Sequence, residues 1–319
     1  VGAPFDGRRY GNLDADAAPL GAALLKFLKW MRNRRRGRWN AWTEAPPAAP
    51  PSERVAAPRW RATFVNHATV LLQGAGVNVL TDPVWSERAS PVRFAGPRRH
   101  RPPGIRFEDL PPLDVVLVSH DHYDHFDFAT VRRIAAVHPG AIFATGRGNR
   151  RRLAALGVRR AAELDWWESV EPAPGLRVTA VPARHFSGRG LRRDRTLWAG
   201  FVVSNGAGTI FFAGDSGYGP HFAEIGARFP GIALAILPIG AYEPRWFMRP
   251  MHVSPSEAVR AAKDLGARAA IGIHFGTFEL ADDGEDEPVV ELREALAKAP
   301  DAPAFRALRF GESWDVPEE

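Results

Sequence analysis

The chain has 319 residues, of which 45% are hydrophobic and none is cysteine, and 42 Lys+Arg against 36 Asp+Glu give a formal net charge of +6. That length and apolar share can close a sizeable core in one large or two ordinary domains. The lack of cysteine excludes disulfide scaffolds and thiolate metal sites, so any metal must be held by imidazole and carboxylate. Lysine stands only at Lys26, Lys29, Lys263 and Lys298, so the positive charge is carried by arginine, the residue best suited to phosphate. Charge by itself does not choose between nucleic acid, anionic lipid and plain solubility.

Residues 1–58 read as an N-terminal extension and 59–319 as the main domain. The chain opens on Val1, which leaves room for a segment upstream. Within the extension, Leu20, Leu24, Phe27, Leu28 and Met31 follow the spacing of one helical face, and Arg32, Arg34, Arg35, Arg36 and Arg38 come next. A short helix of this kind ordinarily buries its stripe on its own protein and leaves the arginines solvated. It can also lie on an anionic membrane, which makes Leu20 to Arg38 the candidate for peripheral membrane contact. Lys26 and Lys29 interrupt the run, so it is neither a membrane span nor a signal peptide. The proline-dense stretch Ala45 to Pro51 can continue neither a helix nor a central strand and is expected to be an extended connector.

From Arg61 short β-branched runs alternate with helical ones. The predicted strands are Ala62 to Leu72, Val77 to Thr81, Val115 to Ser119, Ala141 to Thr145, Leu176 to Val181, Trp198 to Val203, Thr209 to Ala213, Ala233 to Leu237 and Ala269 to Ile273. Predicted helices cover Asp127 to Val137, Asn149 to Leu156, Pro220 to Phe229, Pro255 to Leu265 and Val289 to Ala297. Ser254-Pro255-Ser256-Glu257 has the form of a capped helix start. The pattern alone admits several α/β folds.

The chemistry concentrates in His120-Asp121-His122-Tyr123-Asp124-His125, directly after the apolar run Val115 to Val118. Continued as an extended segment, this stretch sends His120, His122 and Asp124 to one side and lets His125 turn toward a second ion. One hexapeptide cannot surround two ions, and three further candidates each follow a strand-like run: His185, Asp215 and His274. Imidazole and carboxylate suit zinc, though iron or manganese can use the same ligands. His100, His138 and His221 read as ordinary hydrogen-bonded histidines.

The order H-x-H-x-D-H, then His, then Asp, then His resembles the metallo-β-lactamase superfamily. Thr81 to Trp85, Glu163 to Glu168 and Pro238 to Met248 narrow the likeness to the N-acylphosphatidylethanolamine-hydrolysing phospholipase D family. The likeness extends from Asp6-Gly7-Arg8 to Gly311-Glu312-Ser313. It implies an α/β fold, a four-layer αβ/βα sandwich with the metals at the edge where two sheets meet. It places His120, His122 and His185 on one ion, Asp124, His125 and His274 on the other, and Asp215 between them, with two zinc ions as the expected cofactor. It makes His67 a supporting group behind the site. His252 would contact phosphate or protonate the leaving alkoxide, although a plain helix-start role is open to it. Asp124, Asp215 and His252 are the expected catalytic residues. Met251, Phe186 and Ser187 depart from the animal enzymes, and Met251, Phe186 and Tyr218 are the expected substrate contacts.

The function so implied is a phosphodiesterase that cleaves N-acylphosphatidylethanolamine to N-acylethanolamine and phosphatidate, by attack of a metal-bridging hydroxide on phosphorus. A phospholipid substrate, a peripheral membrane or cytoplasmic location and a homodimer go with it. A hydrolase of a soluble ester, lactone or cyclic nucleotide shares the same metal centre. A nucleic-acid-binding protein or nuclease would draw on Arg147 to Arg152 and Arg98 to Arg101, but aromatic residues are not interleaved there, so no nucleic acid is expected.

Overall fold

The computed structural model describes residues 2–13, 20–56, 58–190 and 192–317, with the backbone alone for 20–24. Two seven-stranded mixed sheets dominate it. The first runs, in spatial order, Ser313–Asp315, Arg61–Asn66, Thr69–Gly74, Val77–Thr81, Val115–Val118, Ile142–Gly146 and Arg160–Leu164. The second runs Ala304–Arg306, Ala269–Ile273, Ile232–Pro238, Gly208–Phe212, Gly200–Asn205, Leu176–Val181 and Ser169–Ala173.

The pleat explains why the inner strands are nearly continuous apolar runs. Val115 and Leu117 join the core shared with the second sheet, whereas Val116 and Val118 join Val131, Ile134 and Ala135 of the helix Phe128–Val137. On the far side the helices His221–Arg228 and Pro255–Asp264 bury Phe222, Ile225, Ala258 and Val259 in the same core as the second sheet. Helix, sheet, sheet and helix therefore stack as four layers, the order the resemblance implied. The helix Pro255–Asp264 starts where expected, with Ser254 and Glu257 forming a reciprocal capping box.

The expected single strand Ala62 to Leu72 is instead a hairpin, broken at His67-Ala68 with His67 at a φ of +44°. Apolar residues on both sides of the turn conceal it in the sequence. Six strands among the described residues were not anticipated: Arg160–Leu164, Ser169–Ala173, Ala304–Arg306 and Ser313–Asp315 at the sheet edges, and Gly188–Arg189 and Arg192–Arg193, which pair as a small separate ribbon; all are short and without β-branched runs.

The helix Leu20–Arg32 does not bury the expected stripe among its described side chains. Phe27, Leu28 and Met31 are exposed, and the helix docks instead through Trp30, which is buried and stacked on Phe247 at 5.2 Å. The side chains of Leu20 and Leu24 lie outside the described residues. The arginine run is partly consumed within the molecule. Arg34 pairs with Asp282 at 2.9 Å and Glu279 at 3.4 Å, and Arg36 lies 3.3 Å from Glu279. Nearby acidic side chains, remote in sequence, decided that outcome. No helix among the described residues is long and apolar enough to cross a membrane.

Candidate metal centre

The ligand-type residues leave the strand ends of both sheets at one edge. Asp82 follows Val77–Thr81, His120 follows Val115–Val118, Asp215 follows Gly208–Phe212 and His274 follows Ala269–Ile273. Backbone hydrogen bonds stitch the sheets together at this edge, from Ala199 N–H to the Ser119 carbonyl at 3.0 Å and from His274 N–H to the His67 carbonyl at 2.7 Å.

The hexapeptide does not continue as an extended segment. It turns, with His125 N–H and Phe126 N–H both donating to the His122 carbonyl. The turn swings Asp124 away from His120 and His122 and places it beside His125. Two groups result. In the first, His122 Nδ1 lies 2.8 Å from His120 Nε2 and 3.3 Å from His185 Nε2. In the second, Asp124 Oδ2 lies 3.3 Å from His125 Nε2 and 3.5 Å from His274 Nε2. Asp215 Oδ2 stands between them, 3.8 and 3.7 Å from His120 and His185 Nε2, and 3.1 and 3.2 Å from His125 and His274 Nε2.

The donor set fits divalent ions. His125 Nε2, His274 Nε2 and Asp215 Oδ1 are buried and satisfy no hydrogen bond, although hydrogen-bonding atoms crowd around them. Buried polar atoms left so are costly unless something else occupies their lone pairs. Converging imidazole nitrogens and carboxylate oxygens, without thiolate, are what zinc, iron or manganese take.

Hydrogen bonds behind the ligands set which nitrogen faces inward. Asp82 accepts from His125 Nδ1 at 2.6 Å, from Ser119 N–H at 2.7 Å and from Ser119 Oγ at 2.5 Å. With its proton committed to Asp82, Ser119 Oγ accepts from His120 Nδ1 at 2.9 Å. One carboxylate thus orients a histidine in each group. His185 Nδ1 donates to the Met251 carbonyl at 3.0 Å, leaving Nε2 free. Asp82, His67 and His274 all adopt positive φ, as does Ala241 nearby, so the edge is built on strained backbone. In the sequence Asp82 is marked only as an Asp-Pro directly after an apolar strand, and nothing local marks Ser119.

Electrostatics divide the histidines. Burial pushes His120 and His185 well below the ordinary range, with neighbouring histidines adding to it. Burial also opposes charge on His125 and His274, yet Asp215 and Asp124 outweigh it, raising His125 well above its ordinary value and His274 to about 9. For Asp124 and Asp215 burial likewise opposes ionisation, and the surrounding histidines overcome it, so both stay well below the usual carboxylate range.

His67 Nε2 meets Asp124 Oδ2 at 2.9 Å, and burial pushes it down to about 3. His252 lies against the rings of His185 and His274 and 4.0 Å from Asp215; burial lowers it to about 4. Phe186 meets the His122 ring edge-on at 4.5 Å. Met251 adjoins the site through its carbonyl. Tyr218 is not brought to this cluster, since its hydroxyl binds Asp264 and its ring stacks on Phe222 beneath Arg260.

The β-lactamase superfamily domain profile matches residues 77–275, a span that holds Asp82 and every residue of both groups. The chain belongs to the metallo-β-lactamase superfamily. It is 40% identical over 271 residues to N-acyl-phosphatidylethanolamine-hydrolyzing phospholipase D 1 of Caenorhabditis elegans, a match covering 80% of this chain and 75% of that one. This places it in the N-acylphosphatidylethanolamine-hydrolysing phospholipase D family. The mitochondrial Saccharomyces cerevisiae enzyme of the same description is 34% identical over 70% of this chain and 48% of its own length. The metallo hydrolase Igni18 of Ignicoccus hospitalis shares the fold, with a TM-score of 0.61 over 82% of this chain and 99% of that one at 21% identity. The protein is a metal-dependent hydrolase of the β-lactamase fold, and its histidine–aspartate groups are the candidate divalent-metal ligands.

Proposed function

We propose that the protein is a phospholipase D-type phosphodiesterase that hydrolyses N-acylphosphatidylethanolamine to N-acylethanolamine and phosphatidate with two zinc ions. The observation that carries the reading is the position of Asp215 Oδ2 within 3.8 Å of four imidazole nitrogens drawn from two groups. His120, His122 and His185 would hold one ion, Asp124, His125 and His274 the other, and Asp215 both. Such ions supply Lewis acidity and an activated water. The worm and yeast relatives, named for this lipid, support the substrate class.

The chain's own groups divide the remaining work. Asp82 and Ser119 keep two histidines in the tautomer that offers Nε2. His67 supports Asp124 from behind. His252, neutral at pH 7 with a value of about 4, would offer an N–H to a phosphoryl oxygen. That favours phosphate contact over protonation of the leaving alkoxide. Phe186 and Met251 would border the lipid.

Residues 1–58 would serve as an extension that brings a lipid surface to the 59–319 hydrolase domain. Leu25, Phe27, Leu28 and Met31 are exposed beside Lys26, Lys29 and Arg32, and Trp246 is exposed with Lys29 5.3 Å from its ring. Apolar and cationic side chains together suit an anionic bilayer. The test is turnover of N-acylphosphatidylethanolamine in vesicles against soluble esters, lactones and cyclic nucleotides, with metal-stripped protein as control. Preference for a soluble substrate would overturn the lipid assignment.

A further inference from the structure

The third histidine of the first group is held from an unexpected direction. Asn12, 173 residues away in the chain, closes a two-way pair with the backbone of His185: its Nδ2 donates to the His185 carbonyl at 2.9 Å, and its Oδ1 accepts from His185 N–H at 3.1 Å. The same Oδ1 accepts from Trp198 Nε1 at 3.1 Å, and that indole also donates to the Ala183 carbonyl at 2.9 Å. Two N–H donors on one side and a carbonyl on the other dictate which way the carboxamide points.

Asn12 is the end of a docked segment. Tyr10 N–H donates to the Asp194 carbonyl at 2.9 Å, Ala3 N–H donates to Asp165 Oδ1 at 2.8 Å, and Phe5 packs on Tyr10 at 4.6 Å. The loop it grips is tied down on either side of His185, where Gly217 N–H donates to the Arg184 carbonyl at 2.8 Å and Asp194 N–H to the Ser187 carbonyl at 2.8 Å, but among the described residues the His185 backbone itself is bonded by Asn12. Outside the strand ending at Val181, Arg184 N–H donates to Ser216 Oγ at 3.0 Å and the His185 ring to Met251. Without Asn12, the His185 N–H and C=O would lose their protein partners.

We infer that Asn12 is a positioning residue for His185, so that docking of residues 2–12 and loading of the His120, His122 and His185 group are coupled. The inference rests on the ligand assignment proposed above. Coupling of this kind is reciprocal: an ion at His185 steadies the strap, and the strap raises affinity for the ion. Among the described residues Asn12 makes no hydrogen bond to Asp124, His125 or His274, so the effect should fall on the first group.

The experiment is stepwise metal release from the full-length zinc- or cobalt(II)-loaded protein by a competing chelator. Asn12→Ala is expected to weaken one of the two ions by about 10- to 100-fold and leave the other at wild-type affinity. Asn12→Asp keeps both acceptor bonds and loses the donor, and should fall between Asn12→Ala and wild type. Wild-type affinity for both ions in Asn12→Ala, or equal weakening of both, would overturn the coupling. If the alanine variant does not fold, hydrogen exchange on the unaltered protein decides the matter. Chelation should raise exchange in residues 8–13 and 183–187 together, and an unchanged 8–13 segment would refute the inference. His185→Ala separates the two readings. Should it retain both ions, the ligand assignment itself fails; should it lose one while Asn12→Ala keeps both, only the strap does.

Discussion

His125 Nδ1 lies 2.6 Å from the Asp82 carboxylate, and both side chains are shut off from solvent. The carboxylate also takes both protons that Ser119 offers, so it holds one histidine of each group in place. Asp82→Asn would turn an amide N–H₂ or a poorer acceptor toward three donors. Metal affinity should fall by about 10- to 100-fold, seen by chelator competition, while far-UV dichroism of the folded variant stays that of wild type.

Asp215 Oδ2 lies within 3.8 Å of imidazole nitrogens from both groups. Asp215→Asn preserves its size but removes the charge among four imidazoles. The fold should survive and turnover should drop by more than about 100-fold, beyond the usual effect of an outer partner. Full activity in this variant would sink the shared-ligand assignment.

Gly214 shapes the site by lacking a side chain. Its φ is +59°, and a Cβ would stand 2.5 Å from Ser119 Cβ. Gly214→Ala must therefore displace the serine that links Asp82 to His120. A stability loss of about 1–3 kcal/mol by denaturant titration, together with weaker metal binding, is expected.

His221 provides an acid-sensitive element one hydrogen bond behind the ligand groups, its Nε2 3.0 Å from the hydroxyl of Ser216, the residue after Asp215. Burial, helped by Arg184, pushes it from 6.5 down to about 3. The unfolded chain takes up a proton near 6.5 that the folded chain refuses until about 3. Stability from this group is thus fully present above 6.5 and is lost as pH falls through that window, by at most about 1.4 kcal/mol per pH unit. His221→Gln should flatten the slope of the denaturation midpoint between pH 6.5 and 4; an unchanged slope would count against a buried neutral histidine.

Leu28, a residue of the stripe expected to be buried at home, is 54% exposed on the N-terminal helix, and Leu25 beside that stripe is 69% exposed. Changing both to glutamate should abolish co-sedimentation with anionic vesicles and spare the melting temperature. Undiminished sedimentation would remove this helix from the membrane reading.

The chemistry of the site was legible because it is local. His120, His122, Asp124 and His125 stand within six positions, and His185, Asp215 and His274 each close an apolar run whose strand character is readable from β-branched residues. The turn at His122 to His125 was not, since ligand spacing resembles an extended segment equally well. Short edge strands escaped for lack of a pattern, and the His67 turn for an excess of one.

By itself the sequence determined the donor types, their order along the chain and the strand ends that carry them, because residue identity and period are written into neighbouring positions. Only the tertiary structure decided which donors share a group, that Asp82 and Ser119 orient them, that Asn12 reaches His185, that Arg34 faces Asp282, and that Tyr218 turns to Asp264. Each of those depends on hydrogen-bond partners brought together from distant parts of the chain, as far as 248 residues for Arg34 and Asp282. Which partner a buried or half-buried polar group finds is settled by packing, where leaving it unpaired costs more than any local preference can repay.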